Sequence, residues 1–301
     1  MQQKWQKKGL LIKTNPKNKW MCSYLGPSYA ILRNKRYIDI YFSARNKKNI
    51  SSIGKITFDT KLKKKTNCKK IFSVSESKSS DRHGVSYPTI LKFKNKTYLY
   101  YVGWKKNKLF KFENNLLLAI KKKDKFYRIK NVINAKDSTF GSGSCFILKK
   151  GRIFMMWFTS FLKRNKKKKN SLHYEYTIKL ATSYDLINWK VKPNNCINFK
   201  SKTENAISKP TILYKNYKYH MWYCYRGKKY KIGYAVSSDG YKWIRKDNRI
   251  QFIGNNYKWD NLEKCYPSVI EVNKKLYMFY SGNNYGKNGI GYSELKRNHD
   301  I

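Results

Sequence analysis

Acidic side chains are scarce in this chain, with 17 Asp and Glu against 67 Lys and Arg. Those that precede apolar runs therefore stand out: Asp81, Asp137, Glu204, Asp260 and Glu263. One carboxyl in such a place can act as a general acid while another acts as a base through water. Glu204, Asp81 and Asp260 are the catalytic candidates on this count. A structural role competes with it, in which the same acids cap turns or pair with the surplus of cations. Arg45, Arg226 and Lys209 offer positive charge, and arginine is shaped for bidentate contact with carboxylate or phosphate. They would suit an anionic sugar, a sugar phosphate, a nucleotide sugar or inorganic phosphate. The competing account pairs the arginines with Glu204 or Asp260. Tyr87, Trp104 and Tyr266 can stack on a sugar ring, although core packing is the commoner use of such residues. Asn283 and His83, the latter within Asp81-Arg82-His83-Gly84, complete the polar candidates.

These residues fall at recurring places. Four prolines open apolar runs, at Gly26-Pro27-Ser28, Tyr87-Pro88-Thr89, Lys209-Pro210-Thr211 and Tyr266-Pro267-Ser268, and Ser142-Gly143-Ser144 is a fifth copy without proline. The intervals are 61, 55, 67 and 57 residues. Each copy continues into a basic or Asn-rich turn and then an aromatic strand, such as Tyr98-Leu99-Tyr100-Tyr101 or Tyr219-His220-Met221-Trp222-Tyr223. A third segment carries Ile-Gly or Leu-Ala, as in Ile232-Gly233-Tyr234-Ala235. Two copies add Ser-x-Asp-x-x-x-Trp, at Ser183 to Trp189 and Ser237 to Trp243, where Asp185 and Asp239 are expected to hold turns and the tryptophans to pack. Proline at the first residue of a strand costs no ladder bond. Short Tyr-rich runs between Gly, Asn and Lys turns predict an all-β chain. Five units of this length, four strands each, predict one five-bladed β-propeller over residues 1–301, with blades entering near 26, 87, 142, 209 and 266. Arg45 and Arg226 then share one position in the repeat, which Trp104, Ser160 and Asn283 fill in the other copies.

The x-Pro-x-Ile entries and the Ser-x-Asp-Gly-x-x-Trp element after Ile-Gly-Tyr-Ala resemble the five-bladed propeller glycosidases. These include the arabinanase and xylosidase-like family 43, the fructosidase family 32 and the mannoside phosphorylase family 130. Glu204 to Pro210, Tyr230 to Ala235, Trp259-Asp260 and Cys265-Tyr266-Pro267 look like propeller proteins associated with surface-polysaccharide biosynthesis. The resemblance implies a carbohydrate-active protein, a glycosidase or glycoside phosphorylase working on a glycan or an activated or anionic sugar. In the family 43 pattern, carboxylates stand before the entry proline and flank the glycosidic bond. Here those five positions hold Gly26, Tyr87, Ser142, Lys209 and Tyr266, none of them acidic. A glycan-binding propeller without catalysis is therefore an alternative, and a binding platform for polyanions or membrane surfaces is a third.

The formal net charge is +50. It fits a compositional bias toward Lys, weak association with anionic surfaces, or an anionic substrate. The runs Lys63 to Lys65 and Lys166 to Lys169 read as solvated loops, and no specific nucleic-acid motif appears. Six cysteines without a CxxC pair or metal-ligand spacing predict free thiols and no metal. No cofactor fingerprint is present. The run Leu10-Leu11-Ile12 is too short for a signal peptide, and no apolar run reaches membrane-spanning length, so a cytoplasmic protein is expected.

Overall fold

A computed structural model describes residues 2–75, 79–107, 111–134, 136–138, 140–166 and 172–296. The chain is nearly all β. An N-terminal strand, β1 (Gln3–Lys13), is followed by four antiparallel meanders. The first comprises β2 (Ser28–Asn34), β3 (Tyr37–Arg45), β4 (Ser51–Asp59) and β5 (Lys69–Phe72). The second comprises β6 (Gly84–Phe93), β7 (Lys96–Asn107), β8 (Lys111–Lys122) and β9 (Lys125–Asn131). In the third are β10 (Ser142–Lys150), β11 (Ile153–Lys166), β12 (Leu172–Ser183) and β13 (Lys190–Asn195). In the fourth are β14 (Ala206–Lys215), β15 (Lys218–Arg226), β16 (Tyr230–Ser237) and β17 (Ile244–Arg245). After β18 (Ile250–Ile253), the last unit runs β19 (Cys265–Val272), β20 (Lys275–Ser281) and β21 (Gly289–Leu295). Its fourth strand is β1, which pairs antiparallel with β21 and parallel with β18.

The second strand of each unit is apolar on both faces because both faces are covered. In β3, Ile38, Ile40, Phe42 and Ala44 pack toward the last unit, while Tyr41 packs toward the second. In β7, Tyr98 and Tyr100 face the third unit while Leu99 and Tyr101 face the first. β15 divides in the same way, with Tyr219, Met221 and Tyr223 against the third unit and Trp222 against the last. Five core clusters thus lie between successive units, each adding roughly 25 cal/mol per Å² of apolar surface withdrawn from water.

The five first strands touch in sequence, β2 to β6 to β10 to β14 to β19, and β19 returns to β2. Hydroxyls just after the entry prolines tie this ring together. The Ala30 amide donates to Ser268 Oγ (2.9 Å), the Val269 amide to Thr211 Oγ1 (3.2 Å), and Thr89 Oγ1 to the Cys145 carbonyl (2.8 Å). Each such bond adds on the order of 1 kcal/mol.

Directly before those hydroxyls the ladder is broken by bulges, between Ser86 and Thr89, Ser208 and Thr211, and Cys265 and Ser268. The extra residue has left-handed backbone in each case, with φ of 52° at Tyr87, 54° at Lys209 and 59° at Tyr266. Side-chain-bearing residues adopt that region at a cost, and bulges re-aim the side chain they carry. The turns behave more simply. Asp185 Oδ1 accepts the amides of Ile187 and Asn188, and Asp239 Oδ1 those of Tyr241 and Lys242. Trp189 and Trp243 pack against the neighbouring cores. Lys63 to Lys65 are exposed between β4 and β5, Lys166 ends β11, and Lys167 to Lys169 lie outside the described residues. All six cysteines are free thiols.

Candidate functional site

Where the five first strands begin, their entry residues and the upper ends of the second and third strands surround a cavity of about 580 Å³, within the usual size of a small-molecule site. Every unit contributes an entry residue to it: Pro27, Tyr87, Ser144, Ser208 and Tyr266. Arg45 and Arg226, at the ends of β3 and β15, stand in the same wall, as does Trp104 from β7. These two arginines are its only ionised side chains among the described residues; no Asp or Glu lines it.

Neither arginine has a carboxylate partner among the described residues. The Arg45 guanidinium lies 5.1 Å from the Tyr24 ring centre and donates to Asn49 Oδ1 at 2.9 Å. That of Arg226 lies 5.0 Å from the Tyr230 ring and donates through Nε to Asn205 Oδ1 at 3.2 Å. These contacts fix the stems and leave donors on each guanidinium for a ligand. Beside Arg226 the aromatic wall is continuous. The rings of Tyr87 and Tyr266 meet edge to face at 5.5 Å, Tyr230 lies 6.0 Å from Tyr266, and the Tyr176 and Tyr230 hydroxyls share a hydrogen bond. Burial raises the phenol pKa of Tyr87 and Tyr176 and pushes those of Tyr230 and Tyr266 well above the ordinary value, so all four stay neutral. Trp104 is anchored by its indole N–H, which donates to Ser51 Oγ at 3.0 Å.

The three candidate acids sit elsewhere, and each is engaged by a cation from a fourth strand. Asp81, 1% exposed, accepts Arg128 Nε of β9 at 2.7 Å, the Tyr101 hydroxyl at 3.0 Å and Ser79 Oγ at 2.6 Å. Asp260, 0% exposed, accepts Lys7 Nζ of β1 at 3.3 Å and the Tyr280 hydroxyl at 2.8 Å. Glu204 takes Arg245 of β17 in a bidentate pair at 2.6 and 2.9 Å, and the same guanidinium holds Asp247, which accepts the Tyr223 hydroxyl at 2.5 Å. Two units thus repeat one device, a buried carboxylate with a second-strand tyrosine hydroxyl and an outer-strand cation, and the fourth unit divides it between Glu204 and Asp247, both held by Arg245. The expectation that these acids face the central site is corrected accordingly, and so is the pairing of Arg45 or Arg226 with Glu204 or Asp260.

Two further candidates are also displaced. Asn283 pins the loop before β19, its Oδ1 accepting the Leu262 and Glu263 amides at 2.9 Å and its Nδ2 donating to the Lys258 carbonyl at 2.9 Å. His83 stacks behind Trp104 at 6.1 Å, and its Nδ1 accepts the Lys106 amide at 3.0 Å. Burial and the nearby Arg82 and Lys106 lower its pKa, which keeps it neutral. Lys209 is buried under the cavity instead of lining it. Tyr24, Tyr176, Tyr230 and Tyr285 are wall residues that the sequence did not single out for a site. Tyr230 alone carried a signal, as the residue opening the third strand of its unit.

No protein-family model matches the chain. Two uncharacterized Mycobacterium tuberculosis proteins, MT1551 of strain CDC 1551 / Oshkosh and Rv1502 of strain ATCC 25618 / H37Rv, are each 26% identical over 306 aligned residues. The match spans 97% of this chain and 99% of each relative. Among solved structures, a Bacteroides ovatus glycosyl hydrolase superimposes with a TM-score of 0.75 at 14% identity, over 100% of this chain and 96% of that one. A structure from the GH130 family of mannoside phosphorylases, which contains glycoside hydrolases that target β-1,2 mannosidic linkages in Candida mannan, gives 0.72 at 14% identity, over 100% and 96%. The catalytic domain of the Coprinopsis cinerea GH62 α-L-arabinofuranosidase gives 0.71 at 9% identity, over 98% of both chains. The fold is therefore that of the glycoside-hydrolase-like propellers. Shared fold does not carry chemistry.

Proposed function

We propose that residues 1–301 form a single five-bladed propeller domain whose central cavity binds a glycan or activated sugar through an anionic group. The unbroken contact ring of first strands, with one core cluster between each pair of units, supports the five-fold reading. One observation carries the functional reading: two arginines without carboxylate partners share a tyrosine-rich wall that holds no acid among the described residues. Guanidinium groups so placed select a carboxylate or phosphate, and the tyrosines and Trp104 provide flat faces and hydroxyls for the sugar ring. Hydrolysis by a pair of carboxylates gains no support from this wall, so binding is the function we infer first. A second reading, turnover of an activated sugar in the same cavity, draws on the strained entry residues Tyr87, Lys209 and Tyr266, since such strain clusters at functional sites.

The motif resemblance suggests surface-polysaccharide metabolism as the setting, and six free thiols suit a reducing compartment such as the cytoplasm. No described helix is long and apolar enough to cross a membrane. We attribute to the surplus lysines only weak, salt-sensitive association with anionic surfaces. Calorimetric titration with a uronate, a sugar phosphate and the matching neutral sugar tests the reading. The charged sugars should bind, the neutral sugar should bind far more weakly, and Arg45→Gln with Arg226→Gln should abolish the difference. Equal binding of the neutral sugar, or charged-sugar binding that survives both substitutions, overturns it. Release of the leaving group from an activated glycoside would favour the second reading.

A further inference from the structure

Lys209 is the bulged residue that opens β14. Its amide donates to Ser144 Oγ at 3.1 Å and Thr159 Oγ1 at 3.4 Å, and both of those residues, like Ser208 beside it, line the cavity. Its side chain then leaves its own unit. Nζ lies 6.0 Å from the ring centre of Tyr29 on β2, although β14 neighbours β10 and β19 in the ring and β2 belongs to the far side. Tyr29 also reaches Phe146 on β10, with 6.0 Å between ring centres, so Lys209 and Tyr29 meet among the first strands next to the cavity-lining Ser144 and Ser208. Lys209 is 1% exposed, and Nζ has no hydrogen-bond partner among the described residues. The titratable groups that face it are Tyr29, Cys145 and Cys224, and burial raises the pKa of all three, which keeps them uncharged. A second orphaned polar atom, Ser28 Oγ, sits one residue below Pro27 in the same ring.

A buried ammonium without a counter-charge is an expensive arrangement, and proteins keep one where something else balances it. The two wall arginines raise the positive charge of this region further, and no described acid offsets it. A singly charged ligand would leave most of that charge unanswered. We propose that Lys209 is the third cation of the central site and that it makes the site select a phosphate monoester, a sugar phosphate, over a sugar carboxylate. This rests on the anionic-ligand reading above and names the ligand's charge and shape. The ammonium need not touch the ligand, because charges interact strongly across a poorly solvated floor. Burial brings the Lys209 pKa down to about 8. The amine is then mostly cationic at neutral pH and neutral above pH 9, whereas arginine stays charged throughout.

Sulfate and acetate separate charge from sugar identity, sulfate being a tetrahedral dianion at every pH used. Their affinities are measured by calorimetry from pH 6.5 to 9.5 on the intact wild-type chain, Lys209→Met, and Arg45→Gln/Arg226→Gln. Sulfate should bind more tightly than acetate, and wild-type sulfate affinity should fall about tenfold as pH rises through 8. Lys209→Met should bind sulfate about tenfold more weakly at pH 7 with a flat pH profile, while acetate changes far less. A flat wild-type sulfate profile overturns the proposal, even if Lys209→Met fails to fold. A folded Lys209→Met that binds sulfate like wild type also overturns it. If the arginine variant loses sulfate and Lys209→Met does not, the assignment of Lys209 alone is lost. If neither variant changes binding, the anionic-ligand reading falls as well.

Discussion

Replacing Glu204 by glutamine separates a reacting carboxylate from a structural one. In the structure Glu204 accepts two bonds from Arg245 at 2.6 and 2.9 Å and the Lys200 amide at 2.9 Å, and both side chains of the ion pair are at most 7% exposed. Removing one partner of a buried pair typically costs about 3–5 kcal/mol. Here Asp247 still holds the guanidinium at 2.8 Å and 3.0 Å, and glutamine keeps the volume and one acceptor. The expected loss is therefore about 1–2 kcal/mol, or roughly 2–6 °C in melting temperature. Arg245→Met leaves both Glu204 and Asp247 without their shared cation and should cost about 3–5 kcal/mol. Urea and thermal unfolding give the stability, and calorimetric titration with the ligand that wild type binds gives the function. Glu204→Gln should unfold earlier and bind as wild type does. A variant with wild-type stability that has lost binding or turnover would refute the structural assignment of this acid.

Four further outcomes follow from the same geometry. Ser268→Ala strips the acceptor from the Ala30 amide at the joint between the last and first units, and should cost about 1–3 kcal/mol in urea unfolding. Tyr280→Phe removes a hydroxyl bond to buried Asp260 and should lower stability by about 1 kcal/mol while leaving anion binding intact. Asp185 is raised by burial but lowered more by the amides of Asn188 and Ile187, which together hold it at about 2. Its contribution is thus complete above pH 4 and is lost as pH falls through 2, so Asp185→Asn should flatten the acid limb of the stability curve there. Deleting residues 3–13 removes the outer strand of the last unit together with the Lys7 partner of Asp260. Circular dichroism of that truncation should show loss of cooperative unfolding; a sharp wild-type transition would contradict the assigned strand order.

The repeat was legible because its signals are local. Proline followed by Ser or Thr marks three of the bulged entries, at Pro88, Pro210 and Pro267, and the tyrosine-rich second strands announce burial on both faces. Arg45 and Arg226 emerged from aligning one copy against another, which is a statement about equivalent positions in a ring. The acids misled for a physical reason. Asp81, Glu204 and Asp260 lie in entry loops along the chain, yet each turns outward to a cation supplied by a distant strand: Arg128, Arg245 and Lys7. Partners separated by 41 to 253 residues leave no local trace. Asn283 shares a repeat position with Arg226, but its short amide caps a loop before it can extend into the cavity. The tyrosines of the wall were hidden by number, being a few among 26 in the chain.

The pairing of β1 with β21 makes two segments far apart in the sequence mutually dependent during synthesis. A ribosome releases Gln3 to Lys13 long before their edge partner exists, and for that interval the segment carries Trp5 with nowhere to bury it. The last sheet can be completed only after Gly289 to Leu295 have emerged, which favours slow, late-closing maturation and exposes nascent chains to mispairing. Stalled or prematurely terminated products should accordingly be handed to chaperones or proteases instead of accumulating as partial rings.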